Sequence, residues 1–231
     1  TLLIKSQKKE VTNTMSNSPL VDFTQLSPNN SGERDHTIDR ITPHCYCGQV
    51  TVERMGAGFA KESTQASANY GIGADGKVGM FVPENMRSWC SSDRPNDERS
   101  VTIECASDPY EPCNFNSAVY AKLVTLCVDI CSRNNKNCLL WIPDRETALA
   151  YEPATNEMVL TVHRWFSSVR SCPGEWMMNH MQNLADTVTA QLTDVIYRVQ
   201  VGAFRNKTYA MDYLQRVKDA GFPNAYITTK G

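Results

Sequence analysis

Three side chains suited to binding a metal ion stand at or near the ends of predicted strands. His44 closes the stretch "DRITPH", and His163 and Cys172 lie nine positions apart in "TVHRWFSSVRSCPGEW". Two imidazoles and a thiolate suit zinc, and three protein ligands leave a fourth position for water. Zinc-bound water can lose a proton near neutral pH and attack an amide. The spacing alone leaves a cysteine–histidine nucleophile pair, or plain packing, open.

Two charged residues could assist such a reaction. Glu104 stands inside the apolar stretch "VTIECAS", where a carboxylate is costly unless it has a partner or a role. It is either one half of a buried ion pair or a general base. Arg170 precedes Cys172 by two positions and is either a solvated loop charge or a donor to the oxyanion formed during amide cleavage.

The cysteines indicate a reducing compartment. There are nine, an odd number, in a chain large enough not to need disulfides. Several, such as Cys127, read as small core residues. Cys45 and Cys47 are too close in sequence for an easy disulfide. No second C-x-x-C-type pair accompanies them, which argues against a structural zinc knuckle.

Composition excludes two classes of partner. The net charge is −2, with 23 Lys and Arg against 25 Asp and Glu, so no basic footprint for nucleic acid is indicated. No apolar run approaches the roughly 20 residues of a membrane span. The opening "TLLIKSQKKE" does not read as a signal peptide, because its apolar stretch is short and precedes the basic residues.

Strands and helices alternate along the chain, which predicts an α/β fold with a mixed central sheet flanked by helices. A hairpin turns at Asp75-Gly76, and "SVTIECAS", "CLLWI" and "MVLTVHRW" read as buried strands. The clearest helix is "NFNSAVYAKLVTLCVDICSRNN", with Asn116 or Ser117 as its N-cap. A second long helix is predicted in "GEWMMNHMQNLADTVTAQL".

Three segments are expected along the chain. Residues 1–14 read as a disordered translated leader ahead of a start at Met15. Residues 15–192 form the catalytic domain. Residues 193–231 add a small strand–helix–strand unit, with strands in "VIYRVQVGAF" and "NAYIT" and a helix that ends at Gly221. That unit is smaller than most domains that fold alone.

Four ordered stretches carry a family resemblance: "IDRITPHC", "SANYGIGADGKVGMFVPE", "RSWCSS…ND…SVTIECAS" and "VHRWFSSVRSCPGEW". Across residues 18–190 the chain resembles the zinc-dependent N-acetylmuramoyl-L-alanine amidases of the amidase-2 type. Their fold is shared with the peptidoglycan recognition proteins. Among these amidases, the chain resembles prophage endolysins of clostridia and related Firmicutes.

The resemblance implies a site for one Zn²⁺ ion, held by His44, His163 and Cys172. It implies that Glu104 is the general base. Arg170 falls where many members have lysine, which keeps the charge but replaces a point donor by a planar fork. Asn69 and Tyr70 are expected to line the substrate groove, whereas Trp89, Asn96 and Trp165 are either walls of the groove or core residues.

The stretch from "YRVQVGAF" onwards resembles the first half of a SPOR domain, a peptidoglycan-binding module. This implies a partial cell-wall-binding module, with a homodimer through paired half modules as one arrangement. The prediction is a peptidoglycan hydrolase that cleaves the amide between N-acetylmuramic acid and L-alanine. It would be synthesised in the cytoplasm without a signal peptide and act at the cell wall after holin-dependent release. The alternatives are a non-catalytic recognition module and a cytosolic muropeptide-recycling amidase.

Overall fold

The computed structural model describes residues 17–193 and 200–229. These residues form two compact units, divided between Asp194 and Val195. The leader expected over residues 1–14, the start expected at Met15 and the segment 194–199 lie outside the described residues.

A seven-stranded sheet organises the first unit. Neighbouring strands are parallel except for the β4–β5 hairpin, so the sheet is mixed, as predicted, and it is mostly parallel. A small second sheet pairs β2 (Asn30–Glu33) with β6 (Met86–Ser88). In spatial order the strands of the main sheet are β1 (Phe23–Thr24), β5 (Val78–Met80), β4 (Tyr70–Ile72), β7 (Ser100–Cys105), β3 (Arg40–Cys45), β9 (Glu157–Leu160) and β8 (Cys138–Leu140).

Helices connect and cover these strands. The helix capped by Asn116, whose side chain accepts from the Val119 N–H at 2.9 Å, is α3. None of the described helices is both long and apolar enough to cross a membrane. The helices of the first unit are α1 (Val52–Phe59), α2 (Arg94–Arg99), α3 (Ser117–Arg133), α4 (Arg145–Ala150), α5 (Glu175–Met178) and α6 (Met181–Thr193).

The two central strands, β3 and β7, divide the unit into an apolar side and a polar side. Side chains alternate along each strand, and the paired Ile41 and Val101 belong to the hydrophobic core with Leu123 of α3. The residues between them are polar. Thr42 Oγ1 lies 2.6 Å from Ser100 Oγ, so a buried hydroxyl network covers the face that leads to His44.

The helix predicted after "CPG" is two helices. α5 ends at Met178 and α6 begins at Met181. The His180 N–H donates to Met177 O, three residues back, and His180 Nδ1 lies 2.6 Å from Trp176 O. These contacts replace the regular helical ladder, so the chain turns between the two segments.

The second unit contains one helix, α7 (Lys207–Asp219), capped by Asn206 and followed by Gly221 at φ +102°. The strands predicted on either side are absent from residues 200–206 and 220–229. Two strands that pair only with each other are marginally stable in water. Part of the first predicted strand also falls in the segment that is not described. No α7 residue is buried.

Candidate metal centre and active site

Three side chains meet at one edge of the main sheet. His44 lies near the carboxyl end of β3, and His163 opens a 3₁₀ turn that follows the parallel neighbour β9. Cys172 reaches the same place from the loop before α5. One ligand atom from each residue lies within 4.8 Å of the other two, and His44 Nδ1 is 3.3 Å from Cys172 Sγ. The structure therefore brings the three predicted ligands together.

The donor set and its spacing fit zinc. Tetrahedral zinc with ordinary bond lengths separates a nitrogen and a sulfur ligand by about 3.5 Å. Burial and the nearby His163 hold the pKa of His44 well below its usual range. Burial, with the charge of Arg170 adding to it, lowers the pKa of His163 to about 4. Both imidazoles are therefore neutral at pH 7 and able to bind a cation. Burial raises the pKa of the Cys172 thiol, so binding must displace its proton.

Two serines and a backbone amide contact the candidate ligands. Ser91 Oγ lies 3.4 Å from His44 Nε2, and Ser92 Oγ lies 3.3 Å from His163 Nε2. The Cys45 N–H donates to Cys172 Sγ at 3.4 Å. Such contacts orient metal ligands and tune their basicity. Sequence reasoning assigned the serines no role, although they follow directly in the quoted stretch "RSWCSS".

Glu104 stands beside His44 in the next strand. The two residues are register partners in the parallel β3–β7 pair, so their side chains share one face. Glu104 is partly exposed as a residue, yet its Oε2 atom is buried and lacks a hydrogen-bond partner among the described residues. Burial raises the pKa of this carboxyl to about 7. A carboxylate poised near neutrality beside a metal cluster suits a general base.

The contacts of Glu104 do not favour the ion-pair alternative. Its Oε1 atom lies 3.8 Å from Cys90 Sγ, a weak donor, and no cation pairs with it across residues 17–193 and 200–229. Arg170 is exposed in the loop that leads to Cys172. Its charge is close enough to His163 to help lower the pKa of that imidazole. Arg170 therefore lies at the rim of the cluster.

Asn69 and Tyr70, expected along the groove, lie in the interior instead, and for Asn96 the structure favours its core alternative. Asn69, Tyr70 and Asn96 are each 0% exposed, so no substrate reaches them in this structure. The Tyr70 hydroxyl donates to Glu84 Oε1 at 2.6 Å, on the face of the sheet opposite Glu104. The expectation ignored strand parity, because Tyr70 pairs with Ile103 and not with Glu104.

The side chains of the two buried asparagines form hydrogen bonds with the buried hydroxyl network and with the loops around it. Asn69 Oδ1 accepts from the Thr102 N–H at 3.1 Å. Asn96 Nδ2 donates to Thr42 Oγ1 at 3.1 Å and to Ser91 Oγ at 3.2 Å. Because Ser91 contacts His44, Asn96 supports the metal cluster from inside the fold.

The two tryptophans among the expected groove residues keep partial exposure. Trp89 Nε1 donates to Ser31 Oγ at 2.6 Å. Trp165 stacks on Trp141 with ring centroids 5.2 Å apart and planes within 5°. Trp141 was missed because "CLLWI" reads as a buried strand, whereas β8 ends one residue before it. Trp165 and His163 belong to the same 3₁₀ turn, so the stack lies on the chain segment that carries one of the candidate ligands.

Comparison with known proteins identifies the family. Residues 34–175, more than half of the chain, match the family model of N-acetylmuramoyl-L-alanine amidase. The chain therefore belongs to the N-acetylmuramoyl-L-alanine amidase family. Residues 193–231 match the SPOR domain. No curated protein matches the chain.

Solved structures share the fold at low sequence identity. The catalytic domain of XlyA is 15% identical with a TM-score of 0.51, over 73% of this chain and 99% of that one. A mutant endolysin from Bacillus subtilis is 14% identical with a TM-score of 0.47, over 73% and 99%. The endolysine N-acetylmuramoyl-L-alanine amidase LysCS from Clostridium intestinale URNW is 15% identical with a TM-score of 0.45, over 73% and 98%. The likeness to the XlyA domain supports the amidase-2 fold.

Proposed function

We propose that this chain is a zinc-dependent peptidoglycan hydrolase of the endolysin type. It would cleave the amide between the lactyl group of N-acetylmuramic acid and the L-alanine of the stem peptide. The observation that carries the proposal is the convergence of His44, His163 and Cys172 beside Glu104, whose buried Oε2 atom has no hydrogen-bond partner among the described residues. Membership of the amidase family supports the choice of bond.

The proposed roles follow from position and charge. His44, His163 and Cys172 would hold the ion, which when bound polarises the scissile carbonyl and activates water. Glu104 takes the proton of the attacking water and then gives it to the departing amine, because its raised pKa allows both states near neutral pH. The exposed Arg170 donates to the oxyanion that develops on the carbonyl oxygen.

The substrate is proposed to be the polymeric wall. The Trp141–Trp165 stack offers a partly exposed aromatic surface for a sugar ring or a stem peptide beside the cluster. The SPOR match over residues 193–231 supports a second contact with peptidoglycan, and pairing of two such units in a homodimer would complete a binding surface. Action at the cell wall, after holin-dependent release from the cytoplasm, completes the proposal.

Mass spectrometry of digested peptidoglycan tests the bond. Purified wall incubated with the zinc-loaded full chain should yield new L-alanine amino termini and uncut glycan chains whose N-acetylmuramic acid residues carry free lactyl carboxylates. New reducing ends or cleaved cross-bridges would contradict the proposal. A matched assay on a soluble muropeptide separates wall lysis from recycling. Faster cleavage of the soluble fragment than of the wall would favour the recycling enzyme.

Two variants connect the activity to the site. Cys172→Ala should lose turnover together with the zinc ion bound at this site, because one of its three ligands is removed. Cys138→Ser, a partly buried cysteine in β8 and away from the cluster, is the matched control and should keep both. Activity that survives chelation and Cys172→Ala would contradict a zinc mechanism. A chain that binds wall but releases no new termini would be a recognition module.

A further inference from the structure

A second group of thiols lies next to the candidate zinc ligands and has no role in the proposed reaction. Cys45, Cys47 and Cys113 each bring an Sγ atom within 4.8 Å of the other two. All three are free thiols. The Sγ atoms of Cys45 and Cys47 are 3.8 Å apart, well beyond the about 2.05 Å of a disulfide bond.

This spacing has the dimensions of a metal–thiolate site. Zinc binds thiolate sulfur at about 2.3 Å, so two sulfurs on a tetrahedral ion lie about 3.8 Å apart. The Cys45–Cys47 separation has that value without any rearrangement. Sequence reasoning discounted zinc here because no second cysteine pair follows in the chain. The fold supplies Cys113 from a loop more than sixty residues away.

We propose that Cys45, Cys47 and Cys113 form a second metal site, for a thiophilic cation such as Zn²⁺. Three sulfur donors and no carboxylate exclude Mg²⁺ and Ca²⁺, which take oxygen ligands. Each thiol gives up its proton to solvent when it binds the ion. The sequence predicts one catalytic ion; under this proposal the protein binds a second ion with a structural role.

The backbone holds the three cysteines toward one another. Cys45 ends β3, and two residues later Cys47 adopts φ +56° while its N–H donates to Ser107 Oγ at 3.1 Å. Cys113 adopts φ +57°, and its N–H donates to Tyr110 O at 2.8 Å. Left-handed backbone is uncommon for residues other than glycine. Here it aims two side chains at a common point.

Burial of the group leaves one approach for an ion. Cys113 and Cys45 are 3% and 7% exposed, whereas Cys47 is exposed. An ion can therefore enter on the Cys47 side, and its fourth position faces solvent and takes an exchangeable ligand. The other two sulfurs are shielded from solvent, which strengthens their attraction for a cation.

The proposed second site lies where the loop of residues 108–115 contacts the segment that carries Cys172, a ligand of the first zinc site. A side chain on Gly174 would meet Cys113 Cβ at 2.6 Å, so the two loops are in close contact. The Trp176 N–H donates to Pro112 O at 3.0 Å. The Cys45 N–H donates to Cys172 Sγ. An ion bound to Cys45, Cys47 and Cys113 would therefore act structurally, by stiffening the support of Cys172.

Metal stoichiometry tests this proposal independently of the proposed function. The full chain is stripped with a chelator under a phosphine reductant, reloaded with excess Zn²⁺, desalted, and assayed by elemental mass spectrometry. Wild type should keep two equivalents. Cys47→Ser and His163→Ala should each keep one, and the double variant none. Cys138→Ser should keep two. Cys47 is exposed, so its replacement by serine leaves the packed interior unchanged.

A Cd²⁺ titration gives a second readout, because each cadmium–thiolate bond adds ultraviolet charge-transfer absorption. Wild type should reach the absorption of four thiolates, and His163→Ala should retain most of it. One zinc equivalent that is lost in His163→Ala but kept in Cys47→Ser would overturn the second site and leave the amidase site standing. The reverse pattern would overturn the amidase site. A disulfide among the three cysteines in the reloaded protein would also overturn the proposal.

Discussion

Replacing Glu104 by glutamine should make the metal-free protein more stable and the loaded enzyme much slower. The carboxyl has an ordinary pKa of 4.5, which burial raises to about 7 in the folded chain. That difference corresponds to about 3 kcal/mol spent on keeping the buried group ionised. Its Oε2 atom has no hydrogen-bond partner in the described residues to offset this cost. A neutral glutamine of the same shape avoids most of it.

The stability gained by metal-free Glu104→Gln should increase with pH. The folded-state pKa lies above the unfolded one, so the penalty is absent below pH 4.5, grows towards pH 7 and is complete above it. Urea unfolding of chelator-stripped Glu104→Gln at pH 8 should therefore show about 2–3 kcal/mol more stability than wild type. Near pH 4.5 the two proteins should be about equal. With zinc bound the gain should shrink, because a divalent cation favours the carboxylate.

The turnover of zinc-loaded Glu104→Gln should fall. Loss of a general base costs about 10²–10⁴-fold in rate, while Glu104→Gln should still retain zinc because the three ligands remain. The matched control is Glu84→Gln. Glu84 is also buried, but its carboxylate accepts from Tyr70 and from Arg133 Nη1 at 2.9 Å, so breaking that pair should destabilise the fold by about 3 kcal/mol.

Two results would refute the reasoning on Glu104. Lower stability of metal-free Glu104→Gln at pH 8 would show that the Glu104 carboxylate stabilises the fold. Wall cleavage within about tenfold of wild type would remove the assignment of Glu104 as the base. The two measurements are independent, so either conclusion can fail without the other.

Three further substitutions probe the supports of the site. Gly174→Ala should lower stability by about 1–3 kcal/mol, measured by thermal unfolding, because φ is +85° and a Cβ would meet Cys113 Cβ at 2.6 Å; an unchanged Tm would contradict the close approach. Asn96→Ala should cost about 1–3 kcal/mol, since it leaves buried hydroxyl groups unpaired; the check is urea unfolding, and a neutral result would show that water replaces the amide. Trp165→Ala should weaken wall binding several-fold in a pull-down while zinc content stays unchanged, because it breaks the stack on Trp141; unchanged binding would exclude the stack from the groove.

Much of the architecture was predictable because local rules decide it. Asn116 caps α3 as its side-chain chemistry requires, and Asp75-Gly76 makes the hairpin between β4 and β5. The mixed sheet with flanking helices is confirmed. The break between α5 and α6 was not predictable from apolar periodicity, because it depends on a contact of His180 with the Trp176 carbonyl.

The candidate site was likewise predictable only in part. His44, His163 and Cys172 were named as a set through the family resemblance, because spacing alone left other readings open; their meeting depends on the parallel pairing of β3 with β9 and on the path of the loop that carries Cys172. Tyr70 was misplaced by one step of strand parity, which no sequence pattern of apolar residues resolves when both faces are buried. Cys113 was unpredictable, because only the tertiary path of its loop brings it to Cys45.

The register pairing of His44 with Glu104 divides the candidate site into two parts. Strand pairing fixes the position of one part, and only a turn and a loop position the other. Adjacent strands keep a spacing of about 4.8 Å that their backbone hydrogen bonds dictate. The distance from proton acceptor to first ligand is therefore built into the scaffold. His163 and Cys172 lie in a turn and a loop, whose positions no strand pairing fixes. Protein engineers who graft new loops onto this sheet can thus alter metal preference and polymer selectivity without disturbing the proton-transfer geometry.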